Sequence, residues 1–397
     1  MKEIDQIIVD AANENFDQIL AVRRHIHMNP ELSFEEKETA EFVSSKLKSM
    51  GLEVKEGIGG YGLTALIKGA KEGPCLGLRA DMDALPIQEA NAVPYASKVK
   101  GVMHACGHDV HTASLLGTAM ILNGLRAHIA GTVKLIFQPG EEKIPGGASL
   151  MIKDGILKDP KVDFMLGQHV FPDMDAGYFG VCPGPYMASA DEVYIRIKGK
   201  GGHGAMPHKC IDPIVLSAQI ISAIQSLVSR NTNPLEPLVV TMGKINSLGG
   251  ATNIIPDEVS LEGTIRTLNE EVRSDIHTQL KVLLEGYERS SGATIELEIR
   301  KGYPSLTNDS AISNRVLEIG QQFKGVDKFK LIPKRMTAED FAYFSNAVPS
   351  CFYRMGVRNE AKGIVSGVHT NTFDIDEEAL KHSSAMMAFL AISLLKV

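Results

Sequence analysis

The chain has 397 residues, of which 44% are hydrophobic and 22% are charged, and its formal net charge is −7. This composition is typical of a globular protein and excludes a disordered or fibrous chain. The sequence has no basic run that would bind nucleic acid. At this length a single hydrophobic core usually stops growing, so we expect two domains.

The first half of the chain predicts alternating helices and strands. An amphipathic N-terminal stretch and a helix over about residues 34–50 precede two strands, GLEVKEG and LTALIKG. Three short apolar runs of strand length follow, PCLGLRAD, TVKLIFQP and VDFMLGQHV, and the helix-like HTASLLGTAMILNGL lies between the first two. Apolar strands that alternate with helices predict an α/β fold with a largely parallel sheet and antiparallel edges.

A second module is predicted after the Pro/Gly-rich segment CPGPYMASA. Its elements follow the order β-α-β-β-α-β, from the strand DEVYIRIKG to the strand ATIELEIRKG, which is the order of a ferredoxin-like fold. We expect residues 1–187 and 303–397 to form the first domain and residues 188–302 to form an inserted domain. Near the C-terminus, AMMAFLAISLL is shorter than the ~20 residues of a membrane-spanning helix and predicts a packed terminal helix.

The termini and the cysteines indicate the compartment. The N-terminal MKEIDQIIVDAANEN has acidic residues among its apolar ones and lacks the apolar core of a secretory signal. The five cysteines are an odd number in a chain too large to need disulfides for stability. We therefore expect a cytoplasmic protein with free thiols and with neither a membrane nor a nucleic acid as partner.

Potential metal ligands and acids follow the predicted strands, at the edge where α/β sheets bind ligands. They are Asp81 and Asp83 after PCLGLRA, Glu141 and Glu142 after TVKLIFQPG, His169 at the end of VDFMLGQ, His369 after CFYRMGV, and His104, Cys106, His108 and Asp109 before a helix. A single histidine is more often structural, but several loops rarely bring such side chains to one edge by chance. Imidazole, thiolate and carboxylate together favour Zn²⁺, Mn²⁺, Co²⁺ or Ni²⁺ over Mg²⁺ or Ca²⁺.

A second group of polar residues lies in the predicted inserted domain. Glycines at 199, 201, 202 and 204 surround His203 in KGKGGHGAMPH and could present this histidine at the tip of a loop. A surface hairpin without a function is the alternative. Asn253 in ATNIIP and Arg266 in GTIR are an amide and a guanidinium that could hold a substrate carboxylate.

Eight motifs together resemble the M20 metallopeptidase family. They are LRADMDALP, MHACGHDVHTA, QPGEE, GQHV, GKGGHGAMPH, ATNIIPDEVSLEGTIRT, AEDFAYF and GVHTNTFDIDEEAL, in this order over nearly the whole chain. The resemblance is to the amidohydrolase branch, which includes hippurate hydrolases, N-acyl-L-amino acid amidohydrolases and auxin-conjugate hydrolases. It implies a zinc-peptidase-like mixed sheet flanked by helices, with an inserted ferredoxin-like lid and dimerisation domain, and therefore a homodimer.

The resemblance also implies a role for most of the candidate residues. Two divalent ions (Mn²⁺, Zn²⁺, Co²⁺ or Ni²⁺) would be bound by Cys106, His108, Glu142, His169 and His369. Glu141 would act as general base and then as acid, His203 would stabilise the oxyanion, and Asn253 would contact the substrate. The implied reaction is hydrolysis of the amide bond of small N-acyl amino acids by a metal-activated water. For a cytoplasmic enzyme we expect acetyl or another small acyl group, and benzoyl and indole-type groups stay open.

Five further residues receive no assigned role from the resemblance. They are Asp81, Asp83, His104, Asp109 and Glu339. Metal-bound histidines commonly need a carboxylate that orients the ring, so Asp83 or Asp109 could serve a ligand in this way. A structural role is an equal alternative.

Three alternative functions stay open. A dipeptidase or aminopeptidase of the same family would use the same metal ligands, although the segment Cys106-Gly107-His108 favours the amidohydrolase branch. A thiol hydrolase would use Cys106 as its nucleophile, but it would leave Glu141, Glu142 and His369 without a role. A non-catalytic metal-binding protein would be expected to enclose its ion with four ligands, whereas five ligands for two ions leave open coordination.

Overall fold

The computed structural model describes residues 3–396. Between these limits the chain forms ten α-helices, sixteen β-strands and four short helical turns. The helices are α1 Ile4–Glu14, α2 Phe16–Met28, α3 Lys37–Ser49, α4 His108–Gly124, α5 Gly147–Lys153, α6 Pro213–Ser226, α7 Glu270–Ser291, α8 Ser310–Gln322, α9 Ala342–Ala347 and α10 Ala379–Leu394. The strands are β1 Val54–Ile58, β2 Gly62–Lys68, β3 Lys71–Asp81, β4 Ala130–Gln138, β5 Phe164–Asp175, β6 Tyr178–Val181, β7 Gly184–Met187, β8 Asp191–Lys198, β9 Gly202–His203, β10 Leu238–Leu248, β11 Ile254–Ile255, β12 Glu258–Thr267, β13 Thr294–Lys301, β14 Leu306–Asn308, β15 Lys328–Leu331 and β16 Ser350–Arg358. The helical turns are Arg126–His128, Pro207–Lys209, Leu227–Asn231 and Glu360–Lys362.

Eight strands form the large sheet, in the order β1-β2-β4-β3-β5-β16-β6-β15. Its centre is parallel, because β3 pairs in parallel with β4 and β5, and β5 pairs in parallel with β16. The pairs β1–β2, β2–β4 and β16–β6 are antiparallel. The predicted mixed α/β sheet is thus confirmed, and the carboxyl ends of its parallel strands lie at one edge.

The core of this first unit consists of apolar strands and two apolar helices. Leu76 and Leu78 of β3 and Leu166 of β5 have no solvent exposure, because helices cover the sheet. Helix α4 packs against α2 and α10, and α10 is the terminal helix that AMMAFLAISLL predicts. Helix α3 begins three residues later than predicted, since Phe34 adopts a left-handed backbone with φ 69°. None of the helices among residues 3–396 is long and apolar enough to cross a membrane.

The second unit contains an antiparallel sheet in the order β10-β12-β8-β13. Residues of α6 and α7 pack on one face of this sheet, where Val193, Ile195 and Ile197 of β8 are buried. The chain order β8-α6-β10-β12-α7-β13 confirms the predicted ferredoxin-like module. The side chains of Asp212 and Asn269 cap α6 and α7 by accepting N–H groups of the first turn.

Contacts within the chain divide it into two compact units. The first comprises the chain up to Gly184, Thr307–Pro333 and the chain from Asp340 onward, and the second comprises Pro185–Leu306 and Lys334–Glu339. The sequence assigns residues 334–339 to the first domain, whereas their contacts place them in the second unit. The domain limits at 187 and 303 stay predictions.

Candidate metal centre

The candidate ligands of the first unit meet at the carboxyl edge of its sheet. Glu141 and Glu142 follow β4, and His169 lies within β5. Two further candidates come from helix α4, since Cys106 lies just before the helix and His108 begins it. His369 lies in the loop between β16 and α10. Four separate segments thus contribute to one place.

Gly107 allows the start of α4 to approach β5. Its backbone is left-handed, with φ 83°, and a Cβ atom on it would lie 2.7 Å from Cγ2 of Val170. Only glycine therefore fits between Cys106 and His108 without displacing the residue that follows His169. This contact brings the two candidates from α4 next to the candidate from β5.

The five candidate ligands form two groups that share Cys106. One group is Cys106, His108 and His169 and the other is Cys106, Glu142 and His369, and within each group the potential ligand atoms lie within 4.8 Å of one another. Cys106 Sγ is 3.5 Å from His169 Nε2 and 3.3 Å from His369 Nε2. Glu142 Oε1 is 3.2 Å from His369 Nε2 and 4.0 Å from His108 Nε2. Such an arrangement could hold two neighbouring cations, with Cys106 within reach of both.

The rings of His169 and His108 both turn Nε2 towards the other candidate ligands. His169 Nδ1 lies 2.8 Å from the carbonyl oxygen of Val170, so Nδ1 carries the proton and Nε2 is unprotonated. His108 Nδ1 lies 3.1 Å from Asp83 Oδ1, and no group among residues 3–396 hydrogen bonds to its buried Nε2. A buried nitrogen without a partner is unfavourable, and a bound cation would satisfy it. The donor set of thiolate, imidazole and carboxylate fits borderline divalent ions.

Asp83 connects the two groups. Besides His108, it accepts the hydroxyl of Ser33 at 2.6 Å and the backbone N–H of Glu142 at 2.9 Å. Burial is the largest single effect and favours the neutral acid, but the hydrogen bond and charge of His108 and the hydrogen bonds from Ser33 and Glu142 together outweigh it and hold the pKa of Asp83 below its usual value. Asp83 is therefore the carboxylate that orients His108, a role that the sequence left open between Asp83 and Asp109.

Asp109 and His104 lie behind the ligands and make different contacts. Asp109 Oδ2 accepts from Arg23 Nε at 2.8 Å and lies 2.8 Å from His27 Nδ1. Burial lowers the pKa of His104 to about 4, so this ring is neutral near pH 7. Neither side chain belongs to the two ligand groups.

Asp81 and His111 support the strand that carries His169. His111 Nδ1 lies 2.6 Å from Asp81 Oδ1, and His111 Nε2 accepts the backbone N–H of Val170 at 2.9 Å. Both ring nitrogens of His111 therefore have a hydrogen-bond partner, so neither is left to bind a cation, although His111 lies close enough to His108 for a shared cation. His111 is not a candidate from sequence alone, because its role depends on a residue 59 positions away.

Glu141 lies beside the ligands as a separate buried carboxylate. It forms a further group with His108 and Glu142, and only 6% of its surface is exposed. Its Oε1 accepts the backbone N–H of Asp340 at 3.3 Å. Asp340 in turn accepts from Arg79 Nη2 at 2.8 Å, which fixes the segment that contacts Glu141. Asp340 lies in the motif AEDFAYF but was not a candidate from sequence.

The electrostatics of Cys106 favour a ligand over a free nucleophile. Burial, with the neighbouring carboxylates of Glu142 and Glu141, raises the pKa of the Cys106 thiol well above its ordinary value. Reactive cysteines have a lowered pKa. A thiolate at this position is therefore stable only when cations offset the surrounding negative charge.

His203 and Asn253 are neighbours in the second unit. Strand β9 pairs with β11 so that His203 is opposite Ile254, and the N–H of Gly204 donates to the carbonyl oxygen of Asn253 at 2.8 Å. His203 Nδ1 accepts the backbone N–H of Ala205 at 3.1 Å. The proton of the neutral ring is therefore on Nε2, as a hydrogen-bond donor to an oxyanion requires.

Arg266 lies on β12 of the four-stranded sheet, near the end of that strand that is farther along the chain from β11. Glu258 begins β12 at the end nearest β11, and Arg266 follows it by eight residues, or ~27 Å of extended strand. Within one chain the structure does not bring Arg266 next to Asn253, so these two side chains do not hold the same carboxylate. Arg266 is half-buried, and burial lowers its pKa.

Comparison with known proteins identifies the family. Residues 77–393 match the sequence profile of peptidase family M20/M25/M40. The chain belongs to this family.

The chain is similar to known proteins over almost its whole length. It is 41% identical to N-acetyl-L-cysteine deacetylase of Bacillus subtilis, over 92% of this chain and 86% of the relative. It is 40% identical to thermostable carboxypeptidase 2 of Saccharolobus solfataricus, over 95% of both chains. The Bacillus subtilis protein YXEP, described as a dinuclear metal-binding peptidase of the M20 family, matches with a TM-score of 0.83 and 37% identity, over 97% of this chain and 99% of that chain. The predicted family and the predicted class of metal-dependent hydrolase are confirmed.

Proposed function

We propose that this protein hydrolyses the amide bond of small N-acyl amino acids, in particular N-acetyl amino acids. The observation that carries the proposal is the pair of ligand groups that share Cys106, with the carboxylate of Glu141 beside them. Two ions of Mn²⁺, Zn²⁺, Co²⁺ or Ni²⁺ would be held by Cys106, His108, Glu142, His169 and His369. The similarity to an N-acetyl-L-cysteine deacetylase supports the substrate class.

Different residues of the chain have different roles in amide hydrolysis. When bound, the two ions supply Lewis acidity that polarises the substrate carbonyl and makes water more acidic. Glu141 takes a proton from the water that attacks the carbonyl carbon, and it returns this proton to the amine nitrogen as the C–N bond breaks. His203 donates from Nε2 to the oxyanion. Asn253 contacts the substrate, and Arg266 of the same chain is too distant from Asn253 to bind that substrate molecule.

A peptidase acting on short peptides is the second candidate. The 40% identity to a carboxypeptidase favours it, and both reactions use the same water and the same base. The two functions differ in the acyl side of the substrate, which is a neutral acyl group in one and carries a charged α-amino group in the other.

Matched substrates separate these two functions. An N-acetyl amino acid and the corresponding glycyl dipeptide differ by one amino group. We would measure release of the free amino acid by metal-stripped protein, with and without each of the four metals, using both substrates and the N-benzoyl analogue. We expect metal-restored hydrolysis with the N-acetyl compound cleaved at least ~10-fold faster than the dipeptide, since a pocket for a neutral acyl group leaves the charged amine unpaired.

The outcomes are distinct. Hydrolysis that is indifferent to metal removal, together with rapid inactivation by a thiol alkylating agent, would contradict the proposal and favour Cys106 as nucleophile. Metal-dependent cleavage that prefers the dipeptide would assign the peptidase function instead. Metal binding without hydrolysis of any of the three substrate classes would favour the non-catalytic alternative.

We infer further that the protein is a cytoplasmic homodimer, with residues 188–302 as lid and dimerisation domain. Strand β10 is an edge strand of its sheet and exposes Ile245 and Leu248, which supports pairing with a second copy. None of the five cysteines forms a disulfide, which suits a reducing compartment. Light scattering coupled to size exclusion tests the assembly, and the mass of a single chain would contradict it.

A further inference from the structure

Arg23 of α2 joins two segments that carry candidate ligands. Its side chain has no solvent exposure. Nε donates to Asp109 Oδ2 at 2.8 Å, and Nη2 donates to Asp374 Oδ1 at 2.9 Å. Asp109 directly follows His108 at the start of α4, and Asp374 lies five residues after His369. One guanidinium group therefore connects the start of α4 with the loop of His369.

The contacts around Arg23 depend on the shape of its guanidinium group. Nη1 donates to Glu377 Oε1 at 3.2 Å, so a single side chain reaches three carboxylates in three directions. The ring of Tyr95 lies 4.7 Å from the guanidinium carbon, and its hydroxyl donates to Asp374 Oδ2 at 2.8 Å. A lysine ammonium carries the same charge but cannot present donors in this planar arrangement.

The loop of His369 has a less favourable backbone conformation and a more exposed ligand than the start of α4. His369 has φ 62°, a left-handed conformation that is unfavourable for a residue other than glycine, and 53% of its side chain is exposed. Its N–H donates to the carbonyl oxygen of Ala105 at 2.7 Å, and Arg23 adds a side-chain connection further along the loop. His108, by contrast, is fully buried and is oriented by Asp83.

We propose that Arg23 is a positioning residue that holds the His369 loop against α4 and thereby sets the affinity for the ion bound by Cys106, Glu142 and His369. This inference rests on the proposed function, which supplies the two ions. Without Arg23, the carboxylates of Asp109 and Asp374 lose the cation between them, and their repulsion moves the loop away from α4. The group Cys106, His108 and His169 keeps its geometry.

Titration calorimetry of metal-stripped protein with Mn²⁺ tests the proposal without measuring catalysis. The variants are Arg23→Met and the conservative Arg23→Lys, and Asp374→Asn removes the charge of the loop alone in case loss of Arg23 prevents folding. Arg273→Met is the matched control. Arg273 precedes a histidine of its helix by four residues, as Arg23 precedes His27, and its Nε donates to the buried Asp191 at 2.9 Å. Unlike Arg23, it belongs to the second unit.

We expect two binding steps for the wild-type protein. We assign the weaker step to the ion bound by Cys106, Glu142 and His369. In Arg23→Met this step should lose ~10–100-fold in affinity, or disappear, while the affinity of the tighter step stays within about threefold of wild type. Arg23→Lys and Asp374→Asn should show smaller losses in the same step, and Arg273→Met should show none despite lower thermal stability. A purely structural role predicts that Arg23→Met and Arg273→Met behave alike.

Two results would overturn the inference in distinguishable ways. If the wild-type protein takes up two ions and the weaker step is unchanged in both Arg23→Met and Asp374→Asn, the role of Arg23 is refuted and the proposed function stands. If the wild-type protein takes up fewer than two ions, the proposed dinuclear site fails, and the role of Arg23 fails with it.

Discussion

Glu36 is a buried carboxyl group that contacts the loop of Glu141. It has no solvent exposure, and its Oε1 accepts the backbone N–H of Phe34 at 2.9 Å and of Gly140 at 2.7 Å. Burial, reinforced by the nearby Asp83, raises the pKa of Glu36 to about 7 from an ordinary value of 4.5. At pH 6 the folded protein therefore keeps most of this proton, which the unfolded chain has released.

The raised pKa makes stability decrease as the pH rises. Between pH 4.5 and 7 the folded state binds more protons at Glu36 than the unfolded state does, so the free energy of unfolding falls over this range. At ~1.4 kcal/mol per pKa unit, the rise from 4.5 to about 7 corresponds to a loss of about 3 kcal/mol, which is complete above pH 7.

The variant Glu36→Gln isolates this effect. The amide keeps an oxygen that accepts from Phe34 and Gly140, but it carries no charge at any pH. Urea unfolding of metal-stripped protein at pH 5 and pH 8 gives the free energies of unfolding. The variant should exceed the wild-type protein by only about 1 kcal/mol at pH 5 and by about 3 kcal/mol at pH 8. The exposed neighbour provides the control, since Glu35→Gln should not change with pH in this way. If the difference in stability between Glu36→Gln and wild type is the same at both pH values, folding does not raise the pKa of Glu36.

Three further predictions concern the candidate centre. Glu141→Gln should lower kcat at least ~100-fold with both ions still bound, because the base is lost. Measurements of turnover and of metal content test this prediction. Full activity of the variant would exclude Glu141 as the base. Asp83→Asn should weaken metal binding ~10–100-fold, since His108 loses its charged partner, and calorimetry with unchanged affinity would contradict this. His203→Ala should lower kcat ~100-fold or more and leave metal affinity unchanged, because it removes a donor to the oxyanion; kinetics in which only KM rises would argue for a binding role instead.

The main elements of the fold could be predicted because each carries a strong local pattern. The runs PCLGLRAD, TVKLIFQP and VDFMLGQHV correspond to the central strands β3, β4 and β5, which are apolar because helices cover the sheet. DEVYIRIKG alternates strictly, as β8 does between its buried and exposed faces. The start of α3 was predicted too early, because the left-handed backbone of Phe34 is set by its packing against Gly140 and has no local signature.

The ligands of the candidate site could be identified from sequence, but their supporting contacts could not. Each candidate ligand follows a strand or precedes a helix in a recognisable motif. Arg23, however, lies 86 residues from Asp109 and 351 residues from Asp374, so no local pattern connects them. Asn253 and Arg266 stay predictions, although Arg266 lies eight residues along β12 from the strand's start near β11.

Anomalous diffraction from crystals of the Mn²⁺-loaded protein would locate the two proposed ions. We expect two manganese peaks in each chain, both next to Cys106 Sγ, with His108 and His169 at one ion and Glu142 and His369 at the other. A single peak, or two peaks that do not share Cys106, would contradict the proposed dinuclear centre.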